Sequence, residues 1–257
     1  MHSTPEPSTI LITGAARRIG RVVALRFAAD GWRVGVHYRH SRVEAEQVVG
    51  EITAAGGRAA VLQADLADLP QMTALVADCT RALGAPTCLI NNASEFAPDE
   101  AGTVSEASWA RHLDVNLKAP IFLAQAFAAH LPDGKTGNII NIIDQRVWRL
   151  SPEFFSYTIS KAALWTATRT LAQALAPRIR VNAIGPGPVL RNIHQTEASF
   201  EREWGTTPLE RGTTPEEIAT TIRYILDAPA LTGQMIALDG GQHLDWRHPG
   251  STPAKGA

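Results

Sequence analysis

Short runs of β-branched and aliphatic residues alternate along this chain with longer stretches in which apolar side chains return at helical intervals. The short runs are Thr9–Ile12, Arg33–Tyr38, Ala59–Gln63, Cys88–Asn91, Asn138–Ile143, Arg180–Ile184 and Met235–Leu238, each of strand length. Between them lie Arg21–Asp30, Val43–Ala55, Met72–Leu83, Ser108–His130, Phe154–Leu175 and Pro215–Asp227, each with the apolar spacing of a helix packed on one side. This alternation predicts a Rossmann-type, doubly wound α/β domain: seven parallel strands in one sheet, with helices on both faces. The segment 186–214 breaks the pattern, because its prolines, glycines and polar residues carry no clear period, and so long a connection predicts a flexible lid. The tail after Asp245 is expected to fray.

Composition narrows this picture. A chain of 257 residues, 45% hydrophobic and 19% charged, has the make-up of a globular protein, and its length suits one doubly wound domain spanning 1–257 with a core at about 9–244. A formal net charge of −1 argues against nucleic acid or an anionic membrane as partner. The most apolar segment, Leu113 to Leu131, is interrupted by Lys118, Pro120, Gln125 and His130, which suits a buried helix and not a bilayer span. Cys79 and Cys88 are too few for a disulfide framework and lack zinc-site spacing. With no secretion signal in the polar start Met1 to Ser8, the expectation is a cytoplasmic protein. His37 and His40 have no third ligand in view, so no metal is expected.

After the first strand, Thr13-Gly14-Ala15-Ala16-Arg17-Arg18-Ile19-Gly20 opens into a helix. Glycines there allow a sharp turn and close approach to a pyrophosphate, while the helix start offers N–H groups to the anion. The plain alternative is a simple strand-to-helix turn. NAD binders place an acid at the end of the second strand to meet the ribose hydroxyls. Here that strand ends His37-Tyr38-Arg39-His40-Ser41, with Arg17 and Arg18 nearby, a set suited to a 2′-phosphate and hence to NADPH/NADP+. A solvated basic edge is the other reading. Asp65, in Ala64-Asp65-Leu66, is placed either to accept from an adenine amino group or to cap the next helix.

Tyr157 and Lys161 stand four residues apart in a helical run and so share a face. An ammonium stabilises phenolate, which would bring a tyrosine into range as general acid near neutrality. Asn91-Asn92-Ala93-Ser94 follows the fourth strand and Asp144 the fifth, at the strand ends where open α/β sheets bind ligands. Pro120, four residues after Asn116, cannot donate to the Asn116 carbonyl, which is then open to a water leading toward Lys161; alternatively Pro120 only kinks a buried helix.

Taken together, the glycine loop, Asn91-Asn92-Ala93, Asn116, Tyr157 with Lys161, Pro186-Gly187 and Asp239-Gly240-Gly241 resemble the short-chain dehydrogenase/reductase family over roughly residues 9 to 244. The resemblance implies the strand order 3-2-1-4-5-6-7, a homotetramer, and catalytic roles for Asn116, Tyr157 and Lys161, with Lys161 on the nicotinamide ribose. Two departures are informative: Arg18 replaces a usual glycine, and Asp144 replaces the usual catalytic serine. With Ser94-Glu95-Phe96 and His37 to Ser41, they resemble the pteridine reductase branch. By that similarity Phe96 stacks on a flat pterin, Arg18 and Ser94 bond cofactor phosphate and ligand, and Asp144 with Tyr157 delivers protons. Plain alternatives are an ion-paired or capping Asp144 beside Arg146 or Arg149, and ordinary loop packing for Phe96. Leu190, Arg191, His194, Phe200 and Trp204 populate the lid and either touch substrate or pack the lid shut.

The expectation is an NADPH-dependent reductase of a pterin or dihydropterin-like small molecule. A carbonyl or 3-oxoacyl reductase and a non-catalytic NADP(H)-sensing regulator remain as rivals.

Overall fold

A computed structural model describes residues 8–192 and 195–245. The strands are β1 (Thr9–Ile12), β2 (Arg33–Tyr38), β3 (Arg58–Gln63), β4 (Cys88–Asn91), β5 (Gly137–Ile142), β6 (Ile179–Pro186) and β7 (Met235–Leu238). They pair in parallel as one sheet in the expected order β3-β2-β1-β4-β5-β6-β7. The winding direction reverses between β1 and β4, which pair directly with Ile10 opposite Cys88 and Ile12 opposite Ile90. A reversal of this kind opens a crevice at the carboxyl ends of the strands.

The helices are α1 (Arg18–Ala29), α2 (Arg42–Ala54), α3 (Leu69–Leu83), α4 (Glu106–Leu113), α5 (Ala119–His130), α6 (Phe155–Leu175), α7 (Glu197–Gly205) and α8 (Pro215–Asp227). Successive strand residues point to opposite faces, so β1 divides its side chains between two cores. Ile10 and Ile12 join Val34, Val36, Phe27 and Ile222 under α1, α2 and α8. Leu11 joins Leu75, Leu89, Leu123, Phe127 and Val181 under α3, α5 and α6. Each such side chain, withdrawn fully from water, contributes about 1.5–3 kcal/mol against chain entropy. α3 starts three residues ahead of its apolar period because Asp68 caps it, accepting from the Gln71 N–H at 3.0 Å, with Pro70 in the first turn.

Two expectations are corrected. The run Ser108–His130 is not one helix: α4 and α5 are separated by a π turn over Asp114–Lys118, in which the Ala119 N–H donates to the Asp114 carbonyl. Pro120, lacking an N–H, is tolerated at the start of α5, and the wide turn ahead of it turns Asn116 toward the interior. The presumed lid also contains regular structure, since Thr196 accepts the Ser199 N–H at 3.2 Å and caps the nine-residue α7. His194 and the tail after Asp245 lie outside the described residues. Among the described residues no helix is long and apolar enough to cross a membrane.

Candidate active site

The glycine loop is braced from β4. Thr13 Oγ1 accepts the N–H groups of Asn92 and Ala93 at 2.9 and 3.0 Å, and Asn92 Nδ2 donates to the carbonyls of Thr13 and Gly14 at 2.9 and 3.1 Å. Gly14 has φ +64°, and a Cβ on Gly20 would stand 2.3 Å from the Gly14 carbonyl, so neither position accepts a side chain. α1 then begins with no side-chain cap and no acid in its first turn, which leaves its N–H groups to an anion. These features fit the pyrophosphate of a dinucleotide.

His37 pins this loop. Its Nδ1 accepts the Gly14 N–H at 3.0 Å, so Nε2 carries the proton toward the Ala64 carbonyl 3.1 Å away. Burial pushes its pKa down to about 4, keeping it neutral. Next to it Tyr38 is buried in the core, while His40 is exposed and Ser41 heads α2 with its hydroxyl unused as a cap. Arg39 Nη1 meets Glu95 Oε1 at 2.6 Å, and the exposed Arg17 lies 3.7 Å from Glu44. Asp65 Oδ1 accepts the Ala67 N–H at 3.0 Å in a local turn, with Leu66 buried beside it; the helix cap is Asp68 and not Asp65.

At the other end of the crevice, Tyr157 and Lys161 share the buried face of α6. Tyr157 donates to Asp144 Oδ2 at 2.8 Å, and Asp144 Oδ1 accepts the Arg146 N–H at 2.8 Å, capping the short 3-10 turn 145–147. Burial drives the Asp144 carboxyl above its ordinary range, against the pull of the Arg146 N–H and charge. Burial and the Asp144 charge together raise the Tyr157 phenol well above its ordinary value. Lys161 Nζ donates to the Ile142 carbonyl at 2.9 Å and lies 5.7 Å from the tyrosine ring centre; burial lowers its pKa to about 8. The Asn116 amide clamps the following loop: Oδ1 accepts from the Glu95 N–H at 2.8 Å and the Ser94 hydroxyl at 3.1 Å, while Nδ2 donates to the Glu95 carbonyl and Ser160 Oγ, both at 3.0 Å.

Phe96 packs between two other rings. Its ring meets Tyr157 edge-on at 4.7 Å between centroids and stacks on Phe154 at 4.2 Å and 12°. Phe154 is held at φ +54° with the Arg146 guanidinium 5.2 Å from its ring centre. Arg18, also left-handed at φ +55°, donates to the carbonyls of Leu190 and Arg191 at 3.0 and 2.9 Å. Pro186 ends β6, and Gly187 follows because a Cβ there would meet Asp239 at 2.8 Å.

Residues 14–243 match the family model described as enoyl-(acyl carrier protein) reductase. The chain belongs to the short-chain dehydrogenase/reductase family. Similar solved structures include FolM alternative dihydrofolate reductase 1 from Brucella canis complexed with NADP: 48% identity, TM-score 0.89, covering 94% of this chain and 96% of that one. An uncharacterized oxidoreductase of Methylorubrum extorquens is 37% identical over 92% of this chain and 98% of its own. A 3-oxoacyl-[acyl-carrier-protein] reductase of Synechocystis is 33% identical over 90% and 95% respectively.

For a short-chain dehydrogenase/reductase, several expected roles need revision. His37 is buried with both ring nitrogens committed inside the protein, so its side chain shapes the glycine loop and does not reach a phosphate. Lys161 donates to the Ile142 carbonyl, and the immediate hydrogen-bond partner of the Tyr157 hydroxyl is Asp144. Asp144 is a cap as well as a tyrosine partner, so the two readings of that residue coexist. One face of Phe96 is covered by Phe154, and Arg18 bonds the lid. Sequence reasoning missed Glu95 and Phe154 as well as a buried group formed by Asp99, His112 and Ser156. Glu95 stood inside the Ser94-Glu95-Phe96 motif and His112 lies four residues ahead of Asn116, but neither position marks its partner.

Proposed function

We propose that this protein is an NADPH-dependent reductase of a pterin or dihydropterin-like ring, with Tyr157 as proton donor and Asp144 as its partner acid. The observation that carries this reading is the part-buried 2.8 Å hydrogen bond from Tyr157 to Asp144, where the family usually has a serine. Reduction of a carbonyl needs one proton, which a tyrosine supplies alone. A ring with several nitrogens exchanges protons at more than one position, and a carboxyl whose pKa is raised by burial keeps a proton to higher pH than an ordinary one.

Bound NADPH supplies the hydride. The first turn of α1 from Arg18 and Ile19 holds the pyrophosphate; Arg17, Arg39, His40 and Ser41 surround the 2′-phosphate; and Asp65 with Leu66 borders the adenine. Asn92, Ala93, Pro186 and Gly187 line the run to the nicotinamide ribose, which Lys161 holds. Tyr157 Oη gives its proton to the ring nitrogen of the C=N bond whose carbon takes the hydride, and Asp144 Oδ2, in contact with that oxygen, in its protonated form returns one to the phenolate. Phe96 offers the aromatic wall, and Ser94 stands beside it. The Brucella protein, an alternative dihydrofolate reductase complexed with NADP, supports both cofactor and substrate class. The Synechocystis relative supports the rival, carbonyl reduction, which leaves Asp144 without a chemical task. The family favours a homotetramer with 1–257 as one catalytic unit, and two buried free thiols, Cys79 and Cys88, favour a reducing cytoplasm.

The test is NADPH oxidation by the purified protein across dihydropterins, ketones and 3-oxoacyl thioesters. Dihydropterins should give the highest kcat/KM. The reverse ranking assigns carbonyl reduction, and NADPH binding without oxidation of any of them assigns a sensor.

A further inference from the structure

Beneath Phe96 lies a hydrogen-bonded chain that the proposed chemistry does not use. It joins His112 on α4, Ser156 on α6 and Asp99 in the loop between β4 and α4, all buried. His112 Nε2 accepts the Ala97 N–H at 3.1 Å, so the proton of the neutral ring sits on Nδ1, 2.6 Å from Ser156 Oγ. The Ser156 hydroxyl therefore donates onward to Asp99 Oδ2. Asp99 also accepts the Ser156 N–H at 2.9 Å through Oδ1 and the Phe155 N–H at 3.0 Å through its carbonyl. It thus caps α6 from another element, where Phe154 offers no side-chain cap. The order of donors rules out a nucleophilic triad, because the histidine gives a proton toward the serine and does not take one from it.

The chain ties together the two aromatic rings of the site. Ala97 and Asp99 follow Phe96, Ser156 precedes Tyr157, and the His112 ring lies edge-on to Tyr157 at 6.1 Å between centroids. We propose that His112 and Ser156, with Asp99, are positioning residues that hold the Phe96 loop in register with the Tyr157 helix, and that only the neutral Nδ1–H form of His112 does so. This rests on Tyr157 being the proton donor. A second proton on Nε2 would face the Ala97 N–H and break the chain. Burial holds the His112 pKa below its ordinary 6.5, against the charges of Asp99 and Glu95 and the Ser108 carbonyl, while Arg111 assists. Burial opposes the Asp99 charge, but the Ser156 and Ser108 hydrogen bonds prevail and keep it ionised.

The tautomer is testable in the wild-type protein with NADP+ bound. Nitrogen-15 NMR at neutral pH should show His112 protonated at Nδ1 and bare at Nε2; the reverse tautomer refutes the proposal. Kinetics supply the second arm. As pH falls below 6.5, the KM for dihydropterin should rise roughly three- to tenfold, the scale of one or two lost hydrogen bonds, while the Kd for NADPH stays constant. His112→Gln keeps an acceptor for Ala97, His112→Asn keeps a donor for Ser156, and neither titrates. Both should show a raised KM that no longer depends on pH in this range. Variants that follow the wild-type pH curve, or a Kd for NADPH that moves in step with KM, overturn the proposal. Should the variants fail to fold, the protection of the Ala97 amide against hydrogen exchange must fall below pH 6.5, and constant protection overturns the proposal equally. A wild type that never oxidises NADPH with dihydropterin refutes the functional reading instead, and the NMR result still decides the hydrogen-bond chain.

Discussion

Replacing Asp144 with asparagine separates the two tasks of that side chain. Its Oδ1 serves the Arg146 N–H and its Oδ2 receives the Tyr157 hydroxyl, both at 2.8 Å. Asparagine has one acceptor, and the Arg146 N–H, a donor only, must take it; the amide N–H then points at the tyrosine oxygen. The polarity of the pair reverses, and a charge-assisted bond of about 1.5–3 kcal/mol becomes a neutral one of about 1 kcal/mol. A positioned acid contributes roughly 100-fold or more to a proton-transfer step, so dihydropterin turnover should fall by at least that factor. Ketone turnover, which needs only the tyrosine, should fall by less than about tenfold, moving the ratio of the two kcat/KM values by about 1.4 kcal/mol or more. Stability should move the other way. Burial raises the folded pKa of Asp144 above its ordinary 3.8, so the ionised carboxylate subtracts stability above that pH, fully so above the raised value, and asparagine removes this cost. The melting temperature of the variant relative to wild type should therefore be higher at neutral pH than below pH 3.8. Paired assays of NADPH oxidation and thermal melts over pH check this. Equal loss on dihydropterin and ketone would refute the reasoning.

Tyr157→Phe should remove turnover by roughly 100-fold or more while NADPH affinity, read by fluorescence titration, stays within about threefold. Arg39→Asp should weaken NADPH by roughly ten- to 100-fold and NADH far less, since only the former carries the phosphate; equal weakening excludes that contact. Because the Lys161 pKa is lowered to about 8, its ammonium is present below that pH and lost above it, so kcat should decline through about 8. Lys161→Arg, which stays charged, should move that decline upward in a pH profile, and an unmoved limb assigns it to another group.

Much of this architecture was legible because its signals are local. β1 and β7 announce themselves as uninterrupted apolar or β-branched runs, and β4 does so up to its last residue, Asn91. Tyr157 and Lys161 were readable from helical spacing alone. The π turn was not, because apolar side chains continue through Asp114–Lys118 with no change that marks one extra residue per turn. α7 escaped because it buries no side chain and so has no core-facing stripe; only Phe200 and Trp204 pair along it, at 5.4 Å. The Asp99–Ser156–His112 chain spans separations of 44 and 57 residues, and nothing local marks partners so far apart. Arg39 was read as a phosphate ligand from the strand ending, but its pairing with Glu95 depends on where the β4 loop falls in space.

The stacked Phe96 and Phe154 rings mean that the cleft already contains a stand-in for a planar guest. On the proposed reading, a flat ring arriving on the Phe154 side of Phe96 would not fill empty space but trade places with a phenyl group. Displacing Phe154 would forfeit roughly 0.5–1.5 kcal/mol of ring contact, which the guest's own stack on Phe96 must first make good. Affinity then becomes a difference between two stacks, and guests will be sorted by how far their surface exceeds that of a single benzene ring.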